Sequence, residues 1–125
     1  MGLAMSDPKI LNSETLARVE GIKAGLVVKL VETFLRHAPG RFAHCRQGMK
    51  SSDWTAVGEG AHSLKSSAGH LGADRLLEIC DRMERLAEAG NCADLLALED
   101  EFASVYAGTI TALEEEKPRW VPKGN

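Results

Sequence analysis

Apolar residues recur along most of this chain at alternating steps of three and four, the spacing that lines up one face of an α-helix. The longest series is Val27, Val31, Phe34, Ala38, Phe42, Cys45 and Met49. A second runs Trp54, Val57, Ala61, Leu64, Ala68 and Leu71, and a third Leu76, Leu77, Cys80, Met83 and Ala87. The fourth is Leu95, Leu98, Phe102, Val105, Thr109 and Ala112, with Tyr106 and Leu113 beside it. Leu16 and Val19 give a shorter stretch near the start one apolar edge. The pattern predicts four long amphipathic helices and one short one.

Capping and breaking residues set the expected ends. Asn12 or Ser13 opens the first helix, and Gly21 stops it after Glu20. The second helix starts near Lys23, and Pro39, which has no amide hydrogen, predicts a kink or short break over 37–40. Asp53 caps a third helix over 54–71, Gly72 ends it, and a fourth runs from Ala73 to about Glu88. Gly90 stops that one, and Asn91 caps a last helix that Pro118 terminates. Helices of this kind joined by connections of a few residues have one economical arrangement. The fold class expected is therefore all-α: an antiparallel up-down-up-down four-helix bundle with a short additional N-terminal helix. Residues 1–12 are expected to form a flexible arm, 13–117 the bundle and 118–125 a frayed tail.

Composition narrows the function. A chain of 125 residues holds one domain, with no room for a nucleotide-binding catalytic domain as well. The formal charge of −3 supplies no basic field for nucleic acid. No apolar run reaches the ~20 residues of a membrane span. The three cysteines, Cys45, Cys80 and Cys92, form no CxxC pair, so a reduced, cytoplasmic setting is the default. Met1-Gly2-Leu3-Ala4-Met5-Ser6 fits the myristoylation pattern formally, but so short a motif is read as a chance match. No glycine-rich phosphate loop is visible.

One residue stands apart from this regular design. At ~100° per residue, His62 projects roughly 130° away from the centre of its helix's apolar stripe. The same face carries Gly58 one turn before it, Lys65 and Ser66 one turn after, and Gly69 two turns after. Each glycine inside a helix costs about 1 kcal/mol relative to alanine, so a clearing of small residues around an imidazole suggests that another surface comes close to it.

His62-Ser63-Leu64-Lys65-Ser66-Ser67, followed by Leu71-Gly72-Ala73 and then Leu76, Cys80 and Glu84, resembles the signature of histidine-containing phosphotransfer (HPt) domains. Helix lengths and spacing extend the resemblance from about Ser13 to Glu116. Ser66 departs from the glycine most often found after the lysine, but keeps the position small. The resemblance implies a phosphorelay intermediate: His62 accepts a phosphoryl group from a phospho-aspartate of a receiver domain and passes it to another. The partners implied are receiver domains of response regulators or a hybrid sensor kinase. Mg²⁺ belongs to the receiver, and no cofactor or metal is expected in this chain.

The chemistry agrees with that expectation. A neutral imidazole, with a reference pKa of about 6.5, is a nucleophile near pH 7. Lys65 is expected to stabilise the incoming phosphoryl charge, and Gly58, Glu59, Ser66 and Gly69 to form the docking surface together with exposed parts of the second helix. A kinase dimerisation hairpin is disfavoured, since there the histidine is typically followed by an acidic residue and then a proline. The histidines show neither the i, i+4 pairing nor the Glu-x-x-His pattern of a bundle metal site. An adaptor that binds a receiver without passing phosphate remains the alternative. A monomer is preferred, because one outward histidine needs no second subunit.

Overall fold

The computed structural model describes residues 9–122. The elements are α1 (Ser13–Ile22), α2 (Leu26–Ser51), α3 (Trp54–His70), α4 (Asp74–Ala89), α5 (Cys92–Ala97) and α6 (Glu99–Glu116), followed by a 3₁₀ turn over Lys117–Trp120. Among the described residues there is no strand. The long helices α2, α3, α4 and α6 pack in a ring, each against the next, and α6 closes back on α2. Short connections make neighbours antiparallel, so this is the expected up-down-up-down bundle, with α1 the additional N-terminal helix.

The core follows the predicted stripes, with Ile79 added and with Phe42, Trp54, Leu77 and Ala87 only partly buried at its edge. Val27, Val31, Phe34, Ala38, Cys45 and Met49 of α2 are buried together with Val57, Ala61, Leu64 and Ala68 of α3. Leu76, Ile79, Cys80 and Met83 come from α4, and Phe102, Val105 and Leu113 from α6. Thr109 is the buried polar member, and its hydroxyl donates to the Val105 carbonyl at 2.7 Å. Burial pushes the Cys45 thiol up to about 12 and raises that of Cys80 as well, so both behave as small apolar core groups.

Three caps, Asn12, Asp53 and Asn91, fall where the sequence places them, and Asn91 accepts from the Asp94 amide. The Asn12 side chain accepts from the amides of Glu14 and Thr15 at the start of α1, and Asp53 accepts from that of Ala56 at the start of α3. Gly72, at φ +67°, turns the chain between α3 and α4. A methyl group there would also meet Thr15 and Asn12 at 3.0 Å or less, so glycine is required both for the turn and for the approach of α1. The Asn12 amide donates to the Gly72 carbonyl at 2.8 Å, and the Lys9 carbonyl accepts from the Arg75 amide at 2.9 Å. Residues 9–12 of the expected arm are thus sewn to the α3–α4 turn. The arm's first eight positions, and 123–125 of the expected tail, lie outside the described residues.

Other boundaries differ from expectation. α1 runs through Gly21 to Ile22, and the reversal falls at Gly25 (φ +88°). The Glu20 carboxylate explains the shift: it reaches past the turn to accept from the amides of Gly25 at 2.7 Å and Val27 at 3.1 Å, capping α2 from the preceding helix. α2 is unbroken through Pro39, because the flanking turns are anchored in the core by Phe34, Ala38 and Cys45. The expected single last helix is two. The chain tightens at Leu98, whose amide bonds the Leu95 carbonyl, and α6 starts anew with Glu99, Asp100 and Glu101 in its first turn. After Glu116 the chain does not fray at once. Trp120 packs against the core edge and donates from Nε1 to Glu116 at 2.9 Å.

Candidate functional site

The site sits across the seam between α3 and α4. α3 approaches α2 closely at Gly60, where a methyl group would lie 2.5 Å from the Cys45 sulfur. This contact fixes which face of α3 turns outward. The outward face carries His62, whose side chain is 61 % exposed. Its Nδ1 lies 2.8 Å from Oε2 of Glu84 on α4. A carboxylate only accepts, so Nδ1 carries the proton and donates it, and in the neutral ring the lone pair is then on Nε2.

Glu84 is only 17 % exposed, and its second oxygen meets the Lys65 ammonium at 2.7 Å. Lys65 also reaches Asp81 Oδ1 at 3.3 Å, and Asp81 Oδ2 in turn holds Arg85 at 3.0 Å. The hydrogen bond from Lys65, and then that from His62, hold the Glu84 carboxyl below its ordinary range against the opposing effect of burial. Hydrogen bonds to Glu84, and then to Asp81, raise the Lys65 ammonium. The result is a line of alternating charge that ends at the imidazole: Arg85, Asp81, Lys65, Glu84, His62.

Beside the ring the surface dips into an open cleft of about 630 Å³. Trp54, Gly58 and Ala87 give it an apolar floor, and Glu59, Glu84 and Glu88 contribute acidic groups. Gly58 faces α4, where an added methyl group would lie 3.6 Å from Ala87. Glu59 stands on the rim, 69 % exposed, with His44 of α2 at 3.6 Å. Ser66 is exposed one turn further along α3, outside the cleft. Gly69 is partly buried at the seam, where an added methyl group would meet Leu77 at 3.3 Å, so its smallness also serves helix packing.

The sequence brings His62, Lys65, Gly58 and Glu59 to one face by helical spacing, and the structure places all four around or beside the cleft. Lys65 is not a free cation next to the ring: it is bound to two carboxylates. The role of Glu84 was not assigned from sequence. Its signal was its place in the family signature, at the edge of an apolar stripe, four after Cys80 and three before Ala87. Among the described residues no three His, Cys, Asp or Glu side chains come together as metal ligands, and no helix is long and apolar enough to cross a membrane.

On this helical bundle the His62 imidazole is exposed, with its Nδ1 hydrogen-bonded to a carboxylate, an arrangement suited to a protein that carries a group on histidine. The Hpt domain family matches residues 29–116, and the chain belongs to that family of histidine phosphotransfer modules. The fold is similar to the crystal structure of histidine-containing phosphotransfer protein B (HptB) from Pseudomonas aeruginosa PAO1. The match has a TM-score of 0.82 and 22 % identity, and covers 91 % of this chain and 99 % of that one. No sequence match was found among curated proteins.

Proposed function

We propose that His62 is the phosphoryl acceptor of a phosphorelay, taking the group from a phospho-aspartate of one receiver domain and returning it to the aspartate of another. The observation that carries this reading is the Nδ1 contact with Glu84, which leaves Nε2 as the free ring nitrogen on an exposed face. Attack by Nε2 forms the phosphorus–nitrogen bond as the phosphorus–oxygen bond to the aspartate breaks, and the aspartate leaves as a carboxylate. The ring keeps its Nδ1 proton and becomes cationic. Glu84, 2.8 Å away, offsets that developing charge without any rearrangement. Return of the phosphoryl group reverses each step.

Lys65 supports the reaction by steadying Glu84, and its charge adds to the field felt by the phosphoryl oxygens. Pairing with Asp81 and Glu84 moderates that contribution, so Lys65 tunes the rate while His62 is indispensable. The Mg²⁺ and the cradle for the transferred group come from the receiver, which holds the phospho-aspartate at the start. The partners are therefore receiver domains, either free or part of a hybrid kinase.

The test is incubation with a phosphorylated receiver domain and Mg²⁺, following acid-labile, base-stable label on this protein. His62→Gln is expected to accept none while its helical circular dichroism and thermal midpoint stay at the wild-type values. A variant that still takes up label removes His62 as the acceptor. A wild-type protein that accepts from no receiver leaves the adaptor reading.

A further inference from the structure

A second group of polar side chains lies on the other flank of α3, where it meets α2. His37 and Arg41, four apart, project from α2, and Ser67 and His70, three apart, project from α3. Each pair shares one face of its helix, and the two pairs line a cavity of about 130 Å³ in the seam. Phe34 and Leu71, both buried in the core, form its apolar wall. Arg41 donates from Nη1 to the Ser67 hydroxyl at 2.8 Å, whereas Arg46, Arg82, Arg85 and Arg119 each meet a carboxylate. No acidic side chain lines the cavity. Among the described residues none forms an ion pair with Arg41, His37 or His70. Glu59, which borders the adjoining dip of the seam together with Arg41, has His44 at 3.6 Å.

We infer that this cavity binds a tetrahedral oxyanion, either inorganic phosphate or the terminal phosphoryl group of a small phosphate monoester. The Ser67 oxygen accepts from Arg41, so its own proton is free to donate into the cavity. The guanidinium keeps further N–H groups beyond the one that Ser67 takes, and each imidazole offers a ring N–H even when neutral. Thr33, also on the wall, adds nothing, since its hydroxyl already donates to the Lys29 carbonyl at 2.9 Å. The donors come from two helices on opposite sides. That matches oxygens pointing in several directions better than a flat carboxylate, for which one guanidinium fork is enough. The apolar wall lowers the local dielectric and strengthens these contacts. Arg41 is half-buried with no counter-ion among the described residues, the condition that a bound anion completes. The cavity suits a group of this size and is well below the volumes that take drug-sized ligands. The inference stands apart from the phosphorelay reading, because none of the four residues enters the chemistry at His62.

The test is an NMR titration of the ¹⁵N-labelled protein in which sodium phosphate replaces sodium chloride at constant ionic strength and pH. Saturable shifts are expected at the His37 and His70 rings, the Arg41 Nε–H and the Ser67 amide, half complete at about 5 mM or below. Arg41→Gln is expected to weaken binding about tenfold or more, and the double variant Ser67→Ala with His70→Gln by a similar factor. Should one variant lose its helical circular dichroism, the other supplies the comparison. Glycerol phosphate, titrated in parallel, separates the two sources of the anion. Tighter binding than phosphate assigns the site to a monoester, and weaker or absent binding assigns it to the free anion. Shifts that grow linearly without saturating, shifts centred on His62 or on Arg82 and Arg85, or an affinity unchanged in a folded variant each overturn the inference.

Discussion

Replacing Glu84 by alanine removes the group that keeps the His62 proton on Nδ1. A free imidazole in water favours its proton on Nε2, the nitrogen proposed to attack. The variant is expected to fold, to transfer phosphate roughly tenfold more slowly, and to show a ¹⁵N spectrum in which the His62 proton has moved toward Nε2. A rate loss with an unchanged tautomer would mean that Glu84 acts through packing instead. The same residue has a signature in acid. Its carboxyl sits below the ordinary value of 4.5 in the folded chain, so the stability it contributes is complete above that value and is lost as pH falls through the lower folded one. Denaturant midpoints of the wild type should therefore fall on acidification below about pH 4.5 more steeply than those of Glu84→Gln. His62 was legible in the sequence because it breaks the apolar rhythm amid small neighbours. Glu84 stood in the family signature, but its contacts with His62 and Lys65 were not legible, since periodicity tells which face a side chain takes but not which atoms meet across a seam. Lys65 shares the Glu84 carboxylate with His62, and its commitment to Asp81 and Glu84 is a property of two helices at once.

Helix interiors were readable and helix ends only partly so. The stripes of α2, α3 and α4 needed nothing beyond the three-and-four spacing. The end of α1 depends on a carboxylate five and seven residues away from the amides it caps, a contact that no local rule supplies. The break at Leu98 was masked because Leu95 and Leu98 continue the apolar rhythm of α6. Its signal was the acidic triplet that follows, which suits a helix start. At Pro39 the expected break is absent: a proline weakens a helix locally, yet here the packed turns on either side keep α2 continuous. Pro39→Ala is accordingly expected to stabilise the protein by roughly 1–3 kcal/mol, since it restores one amide donor within an already continuous helix. Chemical denaturation measures this, and an unchanged midpoint would show that α2 has adapted fully to the proline.

At the scale of the whole molecule the bundle was legible because four amphipathic helices with short connections leave few alternatives. The two ends were not, since both fold back onto the bundle through contacts distant in sequence. Asn12 reaches Gly72 and Asp74, while Trp120 lies against the core edge near α2 and α6. Trp120→Ala is expected to cost about 1–2 kcal/mol, less than the 3–5 of a fully buried tryptophan, and to leave phosphotransfer unchanged. A thermal midpoint equal to that of the wild type would show that the 3₁₀ turn adds nothing to the bundle. Wild-type stability combined with lost transfer would tie that end of the molecule to the site.

For the phosphotransfer proposed on His62, the hydrogen bond between Glu84 and the ring would also select the covalent product. Any electrophile that reaches His62 finds one imidazole nitrogen already engaged and the other bare, so the adduct is a single regioisomer. An antibody that reads τ-phosphohistidine should then recognise the loaded protein, and one raised against the π form should miss it.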